Sequence, residues 1–424
     1  MLNELDRAIT SHSEEAYLFL EELVRAPSTV GREQAAMEVF ASEFESLGLI
    51  TRRLPFSNIP MLDPRAGITP PADVLTDDRF QVLASTPGDG ELLLLINGHM
   101  DVVPAESPEL WTNPPFEPTR RNGRMYGRGA ADMKGGFAVG ALALRALRDV
   151  APDLFANRRL GILAVIEEEC SGNGTLSSII EHGVIAPEVV LLEPTELGLM
   201  VGGVGVIWVD IRVIASSGHA QQADTSANAV DLGMRVVAGL RAWAAGVLSV
   251  APEPTMDSGE SPYNINLGKV LSGDWASTAP SSAIFSVRVG YPRSWTPTEA
   301  EAEIRSAIAG IADGDVAFPS RPEVTLTGLR AKGYMLDEHT ALGSDLAAAH
   351  EDAHGIPPRA FTLGSTTDAR IYLNDFGVDA VCFGAVAHDM HGIDESVDLQ
   401  SIVDAARTLA RFLVMRFQPH AEQT

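Results

Sequence analysis

His99 and Asp101 stand two residues apart at the end of the apolar run Glu91-LLLLINGHMD. That spacing puts an imidazole and a carboxylate on one side of a strand, where the ring can bind a metal ion and the acid can orient it by taking its second N–H. Asp132 lies in the glycine-rich segment Tyr126-GRGAADMKGG. Glycines permit tight turns and close approach there, and the carboxylate is placed to bridge two cations. A phosphate loop is the competing reading, but the G-x-x-x-x-G-K-[ST] order is missing and an acid sits where amides would be needed.

Glu167-Glu168-Glu169 follows the run Gly161-ILAVI, Glu193 ends Val189-VLLE, and His391-GIDE follows Val378-DAVCFGAVAH. Three adjacent like charges at the end of a buried strand are costly unless a cation or solvent compensates them. His388 competes with His391, and Glu167 with Glu168. Each segment alone also reads as a charged surface turn. Together they offer two histidines and several carboxylates with no thiolate, a donor set for a divalent ion such as zinc, cobalt or manganese.

These residues need elements that bring them to one place. The apolar runs are strand-sized and alternate with helical segments at Met133–Val150, Thr175–His182 and Asp398–Phe417. That texture predicts an α/β fold, with a mostly parallel central sheet flanked by helices and its ligands at the carboxyl ends of the strands. Leu2 to about Ile50 predicts two amphipathic helices broken at Ala26-Pro27-Ser28, and Pro55–Asp78 an irregular connection. Between about 203 and 322 the pattern becomes alternating strands at Val206-IWVDIRV, Tyr263-NINLGKV and Ala283-IFSVRVG, with helices at Ser226–Val247 and Thr296–Ile311. The expected organisation is a discontinuous catalytic domain, 1–202 and 323–424, interrupted by an α+β lid at 203–322.

The chain has 424 residues, Lys plus Arg of 31 against Asp plus Glu of 57, and a net charge of −26. Such a balance repels nucleic acid and anionic membrane surfaces. Hydrophobic residues at 45% and charged residues at 21% are ordinary for a globular protein. Cys170 and Cys382 are too few for a disulfide framework, which fits a reducing cytoplasm. No apolar run approaches the ~18 to 20 residues of a membrane span, and the acid-containing start MLNELDRAITSHSEEAYLF reads as an amphipathic helix and not a signal peptide.

The series His99-x-Asp101, Asp132 in its glycine-rich turn, Glu168-Glu169, Glu193 and His391 resembles the motif series of the dinuclear zinc aminoacylase and carboxypeptidase family. That family includes acetylornithine deacetylase and succinyl-diaminopimelate desuccinylase. The resemblance covers nearly the whole chain, with Gly174 five residues after Glu169 and Asp394-Glu395 after His391, as in the family. It implies that Asp132 bridges two zinc ions, with cobalt or manganese as possible substitutes. His99 and Glu193 complete one ion, Glu169 and His391 the other. Asp101 supports His99, and Glu168 is the general base. A cis peptide after Asp132 is frequent in the family.

In the lid, Ser216-Ser-Gly-His219-Ala resembles the segment whose histidine reaches the partner subunit's active site, which implies a homodimer. Arg288 and Gly364-Ser-Thr-Thr-Asp-Ala-Arg370, with Thr366, Thr367 and Arg370, resemble positions that hold a substrate carboxylate, work suited to guanidinium forks and hydroxyls. The sequence departs from many relatives at Ser277, where an asparagine often supplies an amide contact. The implied activity is deacylation of an N-acyl amino acid by a cytoplasmic enzyme. Dipeptidase or carboxypeptidase action is the near alternative, and a non-catalytic dimerisation relative the alternative of another class.

Overall fold

The computed structural model describes residues 1–57, 62–68, 78–225, 227–247, 253–256, 262–337 and 339–418. Much of the connection expected at Pro55–Asp78, and the expected helix start at Ser226, lie outside them.

A nine-stranded sheet forms the larger layer. Its middle holds Leu160–Val165, Leu94–His99, Glu188–Leu191 and Asp379–Cys382, paired in parallel. Antiparallel neighbours flank them, Phe80–Ser85 and Ile50–Pro55 on one side and Leu199–Gly203 and Tyr334–Met335 on the other. The strand residues explain the burial. Leu94, Ile96, Ile162 and Ala164 face one core, while Leu95, Leu163, Val165 and Leu191 face another. Apolar residues at both phases of a period-2 pattern demand cover on both faces, as in parallel sheets.

Helices Lys134–Val150, Ala341–His354 and Leu399–Phe417 contribute to the first core. Ahead of Ile50 the chain forms three helices, Leu2–Ser11, Ser13–Arg25 and Gln34–Ser46, where two were expected. The extra break is at His12 alone, between two helical segments whose apolar spacing runs on.

A second, four-stranded antiparallel sheet has the order Ile265–Ser272, Ser282–Tyr291, Gly205–Ile214, Glu323–Ala331. Helices Ala229–Val247 and Pro297–Asp313 contribute to its core. Thr296 starts the latter with a capping box closed by Glu299. The strand Glu323–Ala331 corrects the expected boundary at 322/323, because it pairs with Gly205–Ile214 and belongs to this sheet. A four-stranded patch of short strands, Ala387–His388, Ser396–Asp398, Arg124–Tyr126 and Thr119–Arg121, joins the loop carrying His391 to the turn carrying Asp132.

On the helix Ala341–His354, His350 is 4% exposed and faces Thr408 Oγ1 at 3.3 Å and the His354 ring, with Phe383 edge-on. Burial, then the neighbouring His354, pushes its pKa down from 6.5 to about 4. The unfolded chain therefore takes up the proton first as pH falls, so this contribution to stability is complete above pH 6.5 and lost on descending to about 4. Chemical denaturation between pH 7 and 4 is expected to show a shallower loss for His350→Leu than for the parent. Equal slopes would refute the assignment.

Candidate metal centre

The central parallel strands deliver their carboxyl ends to one edge of the sheet, and the predicted ligands meet there. Nε2 of His99 lies 3.1 Å from Oδ1 of Asp132, and Nε2 of His391 lies 3.3 Å from Oδ2 of the same carboxylate. Glu193 stands 3.8 Å from His99 Nε2, and Glu169 stands 3.1 Å from His391 Nε2. Asp132 thus turns one oxygen to each half of the set. Donor atoms of His99, Asp132 and Glu169 lie within 4.8 Å of one another. The Asp132–Met133 peptide is cis.

Burial and like charge dominate the electrostatics of the cluster. Burial, with Asp132 and Glu169 adding to it, pushes Glu193 up to about 8, and burial with Asp368 raises Glu168 well above the usual carboxylate range. Burial opposes protonation of both histidines, yet Glu193 and its neighbours raise His99 well above its ordinary value, and Glu169 with Asp132 raises His391 to about 11. Buried carboxylates and imidazoles crowded in this way are what divalent cations compensate in such a site. Two imidazoles, a shared carboxylate and one further carboxylate on each side fit two cations of the zinc type.

The competing assignments separate by contact. Glu167 takes a left-handed φ of 63° and points away, to Arg79 Nη1 at 2.5 Å and Ser171 Oγ at 2.6 Å. Arg79 is also paired with Glu33, making a buried trio. Glu168 faces the centre, 4.0 Å from His99 Nε2. Gly174 is fixed by packing, since a Cβ there would stand 1.8 Å from the Ile166 carbonyl oxygen. His388 pairs with Ser396 in the small sheet, while His391 reaches Asp132.

Asp101 supports the site differently from expectation. His99 Nδ1 bonds the backbone carbonyl of Asp101 at 2.8 Å, and the carboxylate stays 3.9 Å away. The Asp101 carboxylate instead accepts the backbone N–H groups of Glu168 at 3.2 Å and Glu169 at 3.1 Å. One residue therefore orients His99 with its backbone and the Glu168-Glu169 turn with its side chain. Sequence reasoning also missed the role of Arg128. Its guanidinium pairs with Glu395 in a buried contact and donates to the carbonyls of His391 and Gly392, while Glu395 accepts the N–H groups of Ala131 and Asp132. The pair ties the two ligand loops together. The available signal was Glu395 following His391.

A family model for Peptidase family M20/M25/M40 matches residues 95–415, a span that contains every one of these candidate ligands. The chain belongs to this family. A succinyl-diaminopimelate desuccinylase of Caulobacter sp. (strain K31) is 28% identical over 394 residues, covering 91% of each chain. That of Methylobacterium sp. (strain 4-46) is 29% identical over 403 residues, covering 92% of this chain and 93% of its own. Among solved structures, the Saccharomyces cerevisiae di-peptidase Dug1p superposes with a TM-score of 0.77 at 14% identity, covering 97% of this chain and 98% of that one. Human carnosine dipeptidase 1 gives 0.75 at 15%, covering 99% and 100%. These structures share the fold.

This M20 chain is accordingly a metal-dependent hydrolase. Its expected substrate-holding residues divide. Arg288, on the strand Ser282–Tyr291, donates to Asn264 Oδ1, the Gly364 carbonyl and Ser365 Oγ, with no acidic partner among the described residues. Burial lowers its pKa. Thr366 is buried, and its hydroxyl has no partner among the described residues. The other two are engaged within the protein. Thr367 Oγ1 is engaged with Tyr334 at 2.7 Å and Cys382 at 3.4 Å. Arg370 is spent on Thr367 O, Asp368 and Ser171 O. His219 is exposed on a two-stranded ribbon with Thr278–Ala279, and the hydrogen bond described for its ring comes from Gln221 N–H.

Proposed function

We propose that this M20 enzyme hydrolyses the amide of an N-acyl amino acid with two zinc ions, cobalt or manganese being substitutes, held by His99, Asp132, Glu193, Glu169 and His391. The observation that carries this reading is the Asp132 carboxylate shared between two histidines with Glu168 beside one of them. When bound, the cations would supply polarisation of the scissile carbonyl and a more acidic water. Glu168 would take the proton from that water and hand it to the leaving amine, a transfer its anchored backbone pre-positions. Arg288 and Thr366 would receive the substrate's carboxylate, because an uncompensated guanidinium beside an unpartnered hydroxyl favours that anion.

Desuccinylase relatives that align along nearly the whole chain support deacylation. Dipeptide cleavage is the second reading, favoured by the fold shared with Dug1p. The test is a panel of N-succinyl, N-acetyl and N-formyl amino acids beside dipeptides, each with zinc, cobalt or manganese. Turnover of an N-acyl amino acid well above all dipeptides is expected, and turnover of dipeptides alone would overturn the reading.

The enzyme is further proposed to act in the cytoplasm as a homodimer formed through the second sheet, with no nucleic-acid or membrane partner. Among the described residues no helix is long and apolar enough to cross a membrane. Exposed His219 would complete the partner's site. Mixing Glu168→Ala with His219→Ala is expected to restore activity, because one site of the heterodimer keeps both groups. No recovery from two folded variants would sink the shared site.

A further inference from the structure

The turn that carries Glu168 and Glu169 is fastened at two places. Its start hangs on the Asp101 carboxylate through the two backbone N–H groups. Its far end runs through Ser171 and Gly172 into the helix Asn173–Ile180, and there it meets the loop 364–370. Arg370 Nη2 donates to the Ser171 carbonyl at 3.2 Å, and Nη1 donates to Thr367 O at 3.0 Å and to Asp368 Oδ1 at 3.3 Å. The other Asp368 oxygen accepts from Thr175 Oγ1 at 2.6 Å. Asp368 is 1% exposed, Arg370 6% and Thr175 0%. Gly172 makes room for this contact, since a Cβ on it would stand 2.0 Å from Arg370 Nη2.

The loop's other end is held from the second sheet, where Arg288 Nη2 donates to Gly364 O and Ser365 Oγ. A continuous run of buried or half-buried contacts thus leads from Arg288, through the loop, to the residues bearing the base and a ligand.

We propose that Asp368 and Arg370 are positioning residues that clamp the Glu168-Glu169 turn to the 364–367 loop and so fix where base and ligand stand. The kinetic half of the claim rests on the reading of Glu168 as general base. A guanidinium spent on two carbonyls and a carboxylate is a brace. Both of its Nη atoms are committed to these acceptors. Geometry at a reacting centre is unforgiving, a misplacement of about 1 Å costing about 10²-fold in rate.

The test uses full-length Arg370→Lys, Thr175→Val and Thr175→Ser, each checked for folding by thermal melting. On the best N-acyl substrate of the panel, Arg370→Lys and Thr175→Val are expected to lose about 10-fold or more in kcat with KM nearly unchanged. Thr175→Ser, which keeps the hydroxyl, is expected to restore kcat. Calorimetric titration of the metal-free proteins with zinc supplies a second readout. One of two equivalents should weaken about 10- to 100-fold, the usual cost of disturbing a ligand's support.

A raised KM with unchanged kcat in Arg370→Lys would return Arg370 to substrate binding and overturn the clamp. So would unchanged kcat and zinc affinity in Thr175→Val, the variant that decides if Arg370→Lys does not fold. If the parent hydrolyses nothing on the panel, the functional reading fails and the zinc titration alone judges the clamp.

Discussion

Glu168→Gln is expected to lower kcat by about 10²- to 10⁴-fold, the range that a positioned acid–base group contributes. Glutamine has nearly the shape of glutamate, and the backbone N–H of residue 168 stays on Asp101, so the side chain keeps its place and loses only its ability to accept a proton. Zinc content should therefore remain that of the parent. The neighbouring substitution serves as the control. Glu167→Gln weakens one of the two buried acidic contacts of Arg79, which keeps Glu33, and should act on stability, by about 1–3 kcal/mol, with a much smaller effect on the kcat of the folded enzyme. Steady-state kinetics beside elemental analysis separates the two. A Glu168→Gln enzyme with near-parental kcat would remove Glu168 from the chemistry.

The second large effect concerns Asp132. Because its two oxygens face different histidines at 3.1 and 3.3 Å, one substitution disturbs both halves of the centre. Asp132→Asn is expected to bind fewer than one zinc per chain, whereas His391→Ala should retain the half built on His99 and Glu193. Saturating metal stabilises the native state by about 4 kcal/mol when its free concentration is about a thousand times Kd. Chelation should lower the melting temperature of the parent and hardly move that of Asp132→Asn. Two zinc equivalents in Asp132→Asn would refute the shared carboxylate.

Part of the candidate centre was legible where a proposed ligand ends an apolar run, since a buried strand that runs directly into acids announces a partner for them. His99, Glu169 and Glu193 are of this kind, and the parallel core followed from the same runs. What was not legible depended on where a side chain turns after its backbone is placed. Arg370 reads as a free guanidinium until Gly172 is seen to open a path to the Ser171 carbonyl. Asp101 reads as the acceptor for His99, but its own carbonyl is nearer to the ring. The strand Glu323–Ala331 carries alternation that suits either sheet, and pairing with Gly205–Ile214 decided its place. At His12 the helix stops for a single residue, too short an interruption for periodicity to register.

The run of three glutamates looks redundant, the sort of stretch in which one residue stands in for another. In space each has a separate address. Glu167 goes to Arg79, Glu168 to the side of His99, and Glu169 to His391. Copies of one residue type therefore give no tolerance to slippage. Deleting any one of the three leaves a composition almost unchanged, yet under the proposed roles it would hand a counter-ion the place of the base or a base the place of a ligand. Under the proposed roles, length at this turn is as strict a requirement as chemistry.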